Sequence, residues 1–149
     1  MVTVEQVFEA QSASPWGVAV PDWTWLAFEG SVPVGVLTVN KARTDAGHDI
    51  LDRPDAAVIG IVYVLPPDEG RGDERQDRAT PLLKHAMSAI SPRTLYGSGR
   101  ATARGKQLLR KNCIDIDPEV TQELPLTDAE GEKLGKNAFD RAVAVWSAQ

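Results

Sequence analysis

The chain has 149 residues and a net charge of −5, with 42% hydrophobic and 25% charged residues, which excludes a disordered or collagen-like polymer and points to one globular domain with a real core. No apolar run approaches the roughly 20 residues needed to cross a bilayer, so no membrane partner is expected. The N-terminal Met-Val-Thr-Val-Glu lacks the regions of a signal peptide, so a cytoplasmic location is expected, and the single Cys113 excludes an internal disulfide.

In chain order, Thr3 and Gln6 have the spacing of a capping box and Val4, Val7 and Phe8 suit a short helix. Residues 12–22, with two prolines, read as loop or an irregular strand. Residues 23–28 and 34–39 read as two strands, joined as a hairpin by residues 29–33. Trp23 and Trp25 share one face of the first of them. Residues 41–54 form a polar connection. Residues 56–65, nearly all apolar and rich in β-branched side chains, read as a buried strand stopped by Pro66 and Pro67. Residues 68–78 read as a polar loop. Thr80 is placed to cap the following helix with Pro81 at its first position. Leu82, Leu83, Ala86, Met87 and Ile90 then share a helical face. A short strand at 94–96, a break at 97–99 and a helix at 104–112 follow. Residues 120–126 suit a further strand. Thr127 and Glu130 form a second capping box for a terminal helix with Leu134, Ala138, Ala142, Val145 and Trp146 on one side. Gly131 and Gly135 weaken that helix by about 1 kcal/mol each, so it needs packing to persist.

Charge is unevenly distributed along this order. Residues 78–114 carry eight basic side chains and no acid, leaving −13 on the remainder. Such a segment suits either a solvated face or a local anion site. The negative overall field makes nucleic acid an unlikely partner.

Residues 25–30 (Trp-Leu-Ala-Phe-Glu-Gly) followed by 33–38 (Pro-Val-Gly-Val-Leu-Thr) resemble the second and third strands of the GNAT acyltransferase superfamily. Residues 62–66 resemble the end of its fourth strand and 79–83 the start of its third helix. Residues 95–99 and 108–114 fall where its fifth strand and fourth helix would lie. The resemblance covers residues 23–114 and rests on the order of elements. It implies an α+β fold with a mixed, mostly antiparallel central sheet flanked by helices, and acetyl-CoA held between splayed fourth and fifth strands.

By that resemblance, Val62, Tyr63 and Val64 would supply backbone groups to the cofactor. The family's pyrophosphate loop falls on residues 74–79, where only Ala79 fits the pattern and Asp77 replaces the glycine that lets the backbone approach closely. Arg71 and Gly72 are the alternative loop residues, with Arg75 and Arg78 as supporting cations. Residues 68–78 nevertheless hold five acids against three arginines, which opposes a pyrophosphate. The acid-free segment 97–106, with Arg100 and Arg104 before a helix, is the better phosphate site. The position of the family's catalytic tyrosine is Leu109, which transfers no proton, and Cys113 and Ile114 stand where Gly-Phe would follow. Tyr63 and Tyr96 are then the candidate proton-transfer residues. His48 and His85 form no metal set.

Two functions follow from the resemblance. One is a divergent acetyl-CoA-dependent N-acyltransferase acting on an amine substrate. The other is a non-catalytic subunit of the same fold that binds protein partners or associates with itself. A nucleic-acid-binding module rests on the basic segment alone.

Overall fold

The computed structural model describes residues 2–9, 20–46, 49–66, 74–117 and 124–149. Five strands form one mixed sheet in the order β1-β2-β3-β4-β5, and three helices pack on it, giving a single small α+β domain. The strands are β1 (Val2–Gln6), β2 (Trp23–Glu29), β3 (Val32–Ala46), β4 (Asp49–Val64) and β5 (Thr94–Tyr96), and the helices α1 (Glu74–Ala89), α2 (Ala103–Lys111) and α3 (Asp128–Ser147). Strands β1 to β4 pair antiparallel, and β4 pairs parallel with β5. No helix among the described residues is long and apolar enough to cross a membrane.

The sheet buries both faces. On one, Trp25, Ala27, Leu37, Val39, Ala57 and Ile59 meet the apolar seam of α1 and the inner side of α2. On the other, Leu26, Phe28, Val36 and Tyr63 meet Phe139 and Ala142 of α3. The alternation of β2 between these two clusters is the two-residue period of a strand covered on both sides. Trp25 and Trp23 do share a face, with Trp25 fully buried and its indole edge-on to His85 at 6.1 Å.

Four expectations are corrected. Residues 2–6 form no helix. Val2, Val4 and Gln6 are half-buried, Thr3 and Glu5 are exposed, and all five pair with β2. A capping box would satisfy two backbone donors there, whereas the sheet edge engages the whole segment. Residues 41–54 are not a loop but extend β3 and β4 into a hairpin arm, registered from Arg43↔Asp52 to Ala46↔Asp49. Arg43 and Asp52 are exposed, and the mostly polar sequence of residues 41–49 offers no hydrophobic alternation to read. Pro54 sits where the register slips between Lys41 and Arg43, a break in the ladder that does not require its missing N–H.

The third correction concerns α1, which begins at Glu74 and runs through Pro81 rather than starting there. Ala79 is buried on the seam of Leu82 and Leu83, which extends the apolar face one turn upstream and outweighs one lost ladder bond. Fourth, Ala138, Ala142, Val145 and Trp146 of α3 do pack on the sheet, together with Gly135 and Phe139, but Leu134 is 40% exposed. The Thr127–Glu130 capping box is formed reciprocally, as the spacing predicts. In the expected strand at 120–126, residues 120–123 lie outside the described residues. Residues 124–126 are irregular, with Leu126 N–H donating to the Arg100 carbonyl at 3.0 Å.

Helix α2 ends at Cys113 in a left-handed conformation, φ +57°. Its N–H donates to the Arg110 carbonyl and that of Ile114 to the Leu109 carbonyl, closing the helix end. A side chain there is strained, and glycine is not. Cys113→Gly is expected to stabilise the fold by about 0.5–1 kcal/mol, read as a rise of a few degrees in the thermal midpoint. A fall would show that the thiol makes contacts worth more than the strain.

Candidate functional site

The site begins with a defect in the β3–β4 ladder. Thr38 pairs with Ile61 and Val39 with Ile59, so Gly60 is an extra residue on β4. A Cβ on Gly60 would stand 2.7 Å from Thr38 Oγ1, and that hydroxyl accepts the Ile61 N–H at 3.0 Å. On the opposite edge, β5 accompanies β4 only from Ala56 to Val58. Beyond Val58 the two strands part, and a cleft of about 900 Å³ opens beside residues 59–64.

The orientation of β4 can be followed bond by bond. The Ile61 N–H points to Thr38 and the Leu65 N–H to the Val34 carbonyl, both toward β3. By strand alternation, Val62 and Val64 turn their N–H and C=O groups away from β3, to the cleft side. Both residues line it, as does Ala79 of α1. The far walls are the start of α2, with Ser98, Arg100, Thr102 and Arg104, and the inner side of α3, with Asp128, Gly131, Glu132 and Gly135. Thr102 caps α2 by accepting the Gly105 N–H at 3.1 Å. The α2 terminus therefore faces the cleft with two nearby guanidinium groups, an arrangement that suits an anion.

Placement of the remaining sequence-derived candidates is uneven. Tyr63 lines the cleft but is buried, its ring 6.2 Å from Phe139 and pressed against Gly135. Tyr96 pairs with Val58 in the sheet and is not among the residues lining the cleft. Leu109 lines it and is buried among the apolar residues beneath α2. Arg71 and Gly72 lie outside the described residues, and Arg75 is placed within α1 by its backbone. His48 also lies outside. Among the described residues, no group of three or more His, Cys, Asp or Glu could hold a metal ion.

Arg78 is engaged elsewhere. Its Nε and Nη2 donate to the two Glu29 carboxylate oxygens at 2.7 and 3.1 Å, and its Nη1 donates to the Leu65 carbonyl at 3.0 Å. It thus ties α1 to the ends of β2 and β4 instead of reaching a phosphate. These hydrogen bonds hold the Glu29 carboxyl below its usual range. A depressed folded-state pKa contributes stability above the unfolded pKa that is lost as pH falls through the folded one. The difference in thermal midpoint between the native chain and Glu29→Gln is expected to be constant above about pH 5 and to vanish on further acidification. A difference that grew in acid would contradict the pairing.

Sequence reasoning did not find Thr38, Asn40, Asp128 or Glu132 as cleft residues. The one available signal was the pair of glycines spaced four apart in α3, which marks a helix face in close contact. Comparison of the chain with family models, curated proteins and solved structures finds no match.

Proposed function

We propose that this is a divergent GNAT-like protein whose cleft binds the thioester arm of an acyl donor, acetyl-CoA being the simplest, for transfer of the acyl group to an amine. The observation that carries the reading is the parting of β4 from β5 after Val58, which leaves the outward backbone of Val62 along an open cleft. An extended amide-containing arm would lie there as an added strand. Arg100, Arg104 and the start of α2 would meet its phosphate.

The fit is good for the arm and poor for the nucleotide end. Arg78 is turned to Glu29, and of the resemblance-derived loop pattern only Ala79 is both matched in sequence and on the cleft wall. Acyl transfer needs the amine nitrogen to attack the thioester carbon, the carbon–sulfur bond to break, and the amine proton to end on the departing thiolate. Asp128 and Glu132 are the cleft carboxylates placed to attract a protonated amine and to accept a proton from it.

A second reading, a binding subunit without transfer, is favoured by Leu109. Its side chain fills the position where the resemblance calls for a proton donor, and it is buried.

Calorimetry with acetyl-CoA at low and physiological salt tests the cleft. Micromolar binding that weakens with salt is expected. Val62→Pro, which removes a donor facing away from the β3 ladder, is expected to weaken binding about tenfold. No binding at millimolar acetyl-CoA would overturn the reading as an acetyl-CoA enzyme. Release of free CoA on adding amines would separate transfer from binding alone.

A further inference from the structure

The outer face of α2 has a composition that the cleft alone does not require. Leu108 and Leu109 are buried, and Gly105 lies on the same side. The rest of the helix surface carries Arg104, Lys106, Arg110 and Lys111, with Gln107 among them and no acid anywhere from residue 78 to 114. This face is continuous with the cleft. Arg104 and Gln107 line the cleft, and Arg110 and Lys111 follow Gln107 by three and four residues, one turn further out on the same side. The nine residues of α2 span about 14 Å, so the four cations sit within little more than a Debye length of one another.

We infer that the acyl donor is presented on a small acidic carrier protein through a phosphopantetheine arm, with the carrier docking on the cationic face of α2. The inference rests on the reading that the cleft takes a thioester arm. A free coenzyme would need cations around its nucleotide diphosphate, but Arg78 is bonded to Glu29 and to the Leu65 carbonyl. In sequence, residues 68–78 around that arginine hold five carboxylates in eleven residues. The cations are instead at the start of α2, suited to one phosphate, and beyond it, where a coenzyme filling the cleft would not extend. A single phosphate followed by an acidic protein surface matches both parts, and charge complementarity across such a rim speeds and orients docking. Apart from these four cations the chain carries a net −9, which opposes an acidic partner elsewhere and favours this face. The same negative field and the short extent of the patch disfavour a nucleic acid.

The test measures binding of the full chain to five probes by biosensor: a strongly acidic acyl carrier protein with its phosphopantetheine arm, the same carrier without the arm, free phosphopantetheine, acetyl-CoA, and a short single-stranded RNA. The armed carrier is expected to bind at least about tenfold more tightly than either the bare carrier or acetyl-CoA, and to weaken with salt. Lys106→Glu with Arg110→Glu is expected to weaken carrier binding about tenfold or more while leaving free phosphopantetheine binding unchanged. Lys106→Gln with Arg110→Gln should give a smaller loss and guards against misfolding of the reversed variant. Acetyl-CoA binding as tightly as the armed carrier would overturn the docking inference and leave the cleft reading standing. Failure of acetyl-CoA, phosphopantetheine and armed carrier alike would overturn both. Preferential binding of RNA to the α2 face would assign that face to a nucleic acid instead.

Discussion

Asp117→Ala is expected to lower stability by about 3 kcal/mol, one of the two largest losses from a single substitution considered for this chain. The Asp117 carboxylate is 2% exposed, and both its oxygens accept from Arg53 Nη1, at 3.1 and 2.9 Å. The pair joins the base of the hairpin arm to the segment that follows α2. There Gly97 N–H donates to the Asp115 carbonyl and Asp117 N–H to the Gly97 carbonyl. Arg93 strengthens the same corner by donating to the carbonyls of Arg53 and Ala56 and lying over the Trp23 ring. Removing the carboxylate takes from a partly buried guanidinium both of its hydrogen bonds to Asp117. Thermal denaturation should show the midpoint falling by about 6–12 °C. Replacing both partners with apolar residues, Arg53→Met with Asp117→Leu, should recover most of that loss, because breaking one side of a buried pair costs more than replacing both. If the double variant is as unstable as the single one, the hydrogen bonds themselves carry the stability.

Gly135→Ala is expected to destabilise by about 2 kcal/mol, against the general rule that alanine in a helix interior gains about 1 kcal/mol over glycine. A Cβ at this position would lie 2.5, 2.7 and 2.8 Å from Cδ2, Cγ and Cβ of Tyr63. Those are the inner atoms of a buried side chain on the sheet, so the helix must move rather than the ring. Because α3 forms a wall of the cleft, ligand affinity should fall together with the thermal midpoint, by about 4–8 °C. A rise in the midpoint would show that α3 does not rest on β4 this closely.

The parts of the fold legible in the sequence were those with strong local signals. The β2–β3 hairpin, the apolar half of β4, the seam of α1, and the Thr127 capping box could all be read from neighbouring residues. The parts that were not legible are decided by distant partners. Strand β1 exists because β2 pairs with it, although Thr3 and Gln6 carry a helical spacing. The hairpin arm is held by cross-strand pairing along a mostly polar sequence, so it reads as polar loop. The cleft divides in the same way. Val62 and Val64 could be named from the order of elements, Arg100 and Arg104 from the acid-free segment before a helix, and all four line it. Asp128, Gly131, Glu132 and Gly135 reach it from more than sixty residues beyond β4 in the chain, and the spacing of the two glycines marks a close-packed helix face without saying which strand it meets.

The extra residue at Gly60 also sets the phase of everything that follows it in β4. Ahead of it, the odd-numbered Ala57 and Ile59 face α1. After it, the even-numbered Val62 and Val64 join that side, while Tyr63 turns to α3. Deleting this one small residue would restore one-to-one pairing, because Ile59 and Ile61 already stand opposite the adjacent Val39 and Thr38. Val62, Tyr63 and Val64 would keep their faces, and the strand would lose only the local bend and added twist of the bulge, just past the point where β4 leaves β5. The extra residue is therefore a device for bending the strand at the mouth of the cleft, and a shortened strand would pair more regularly beside a differently shaped opening.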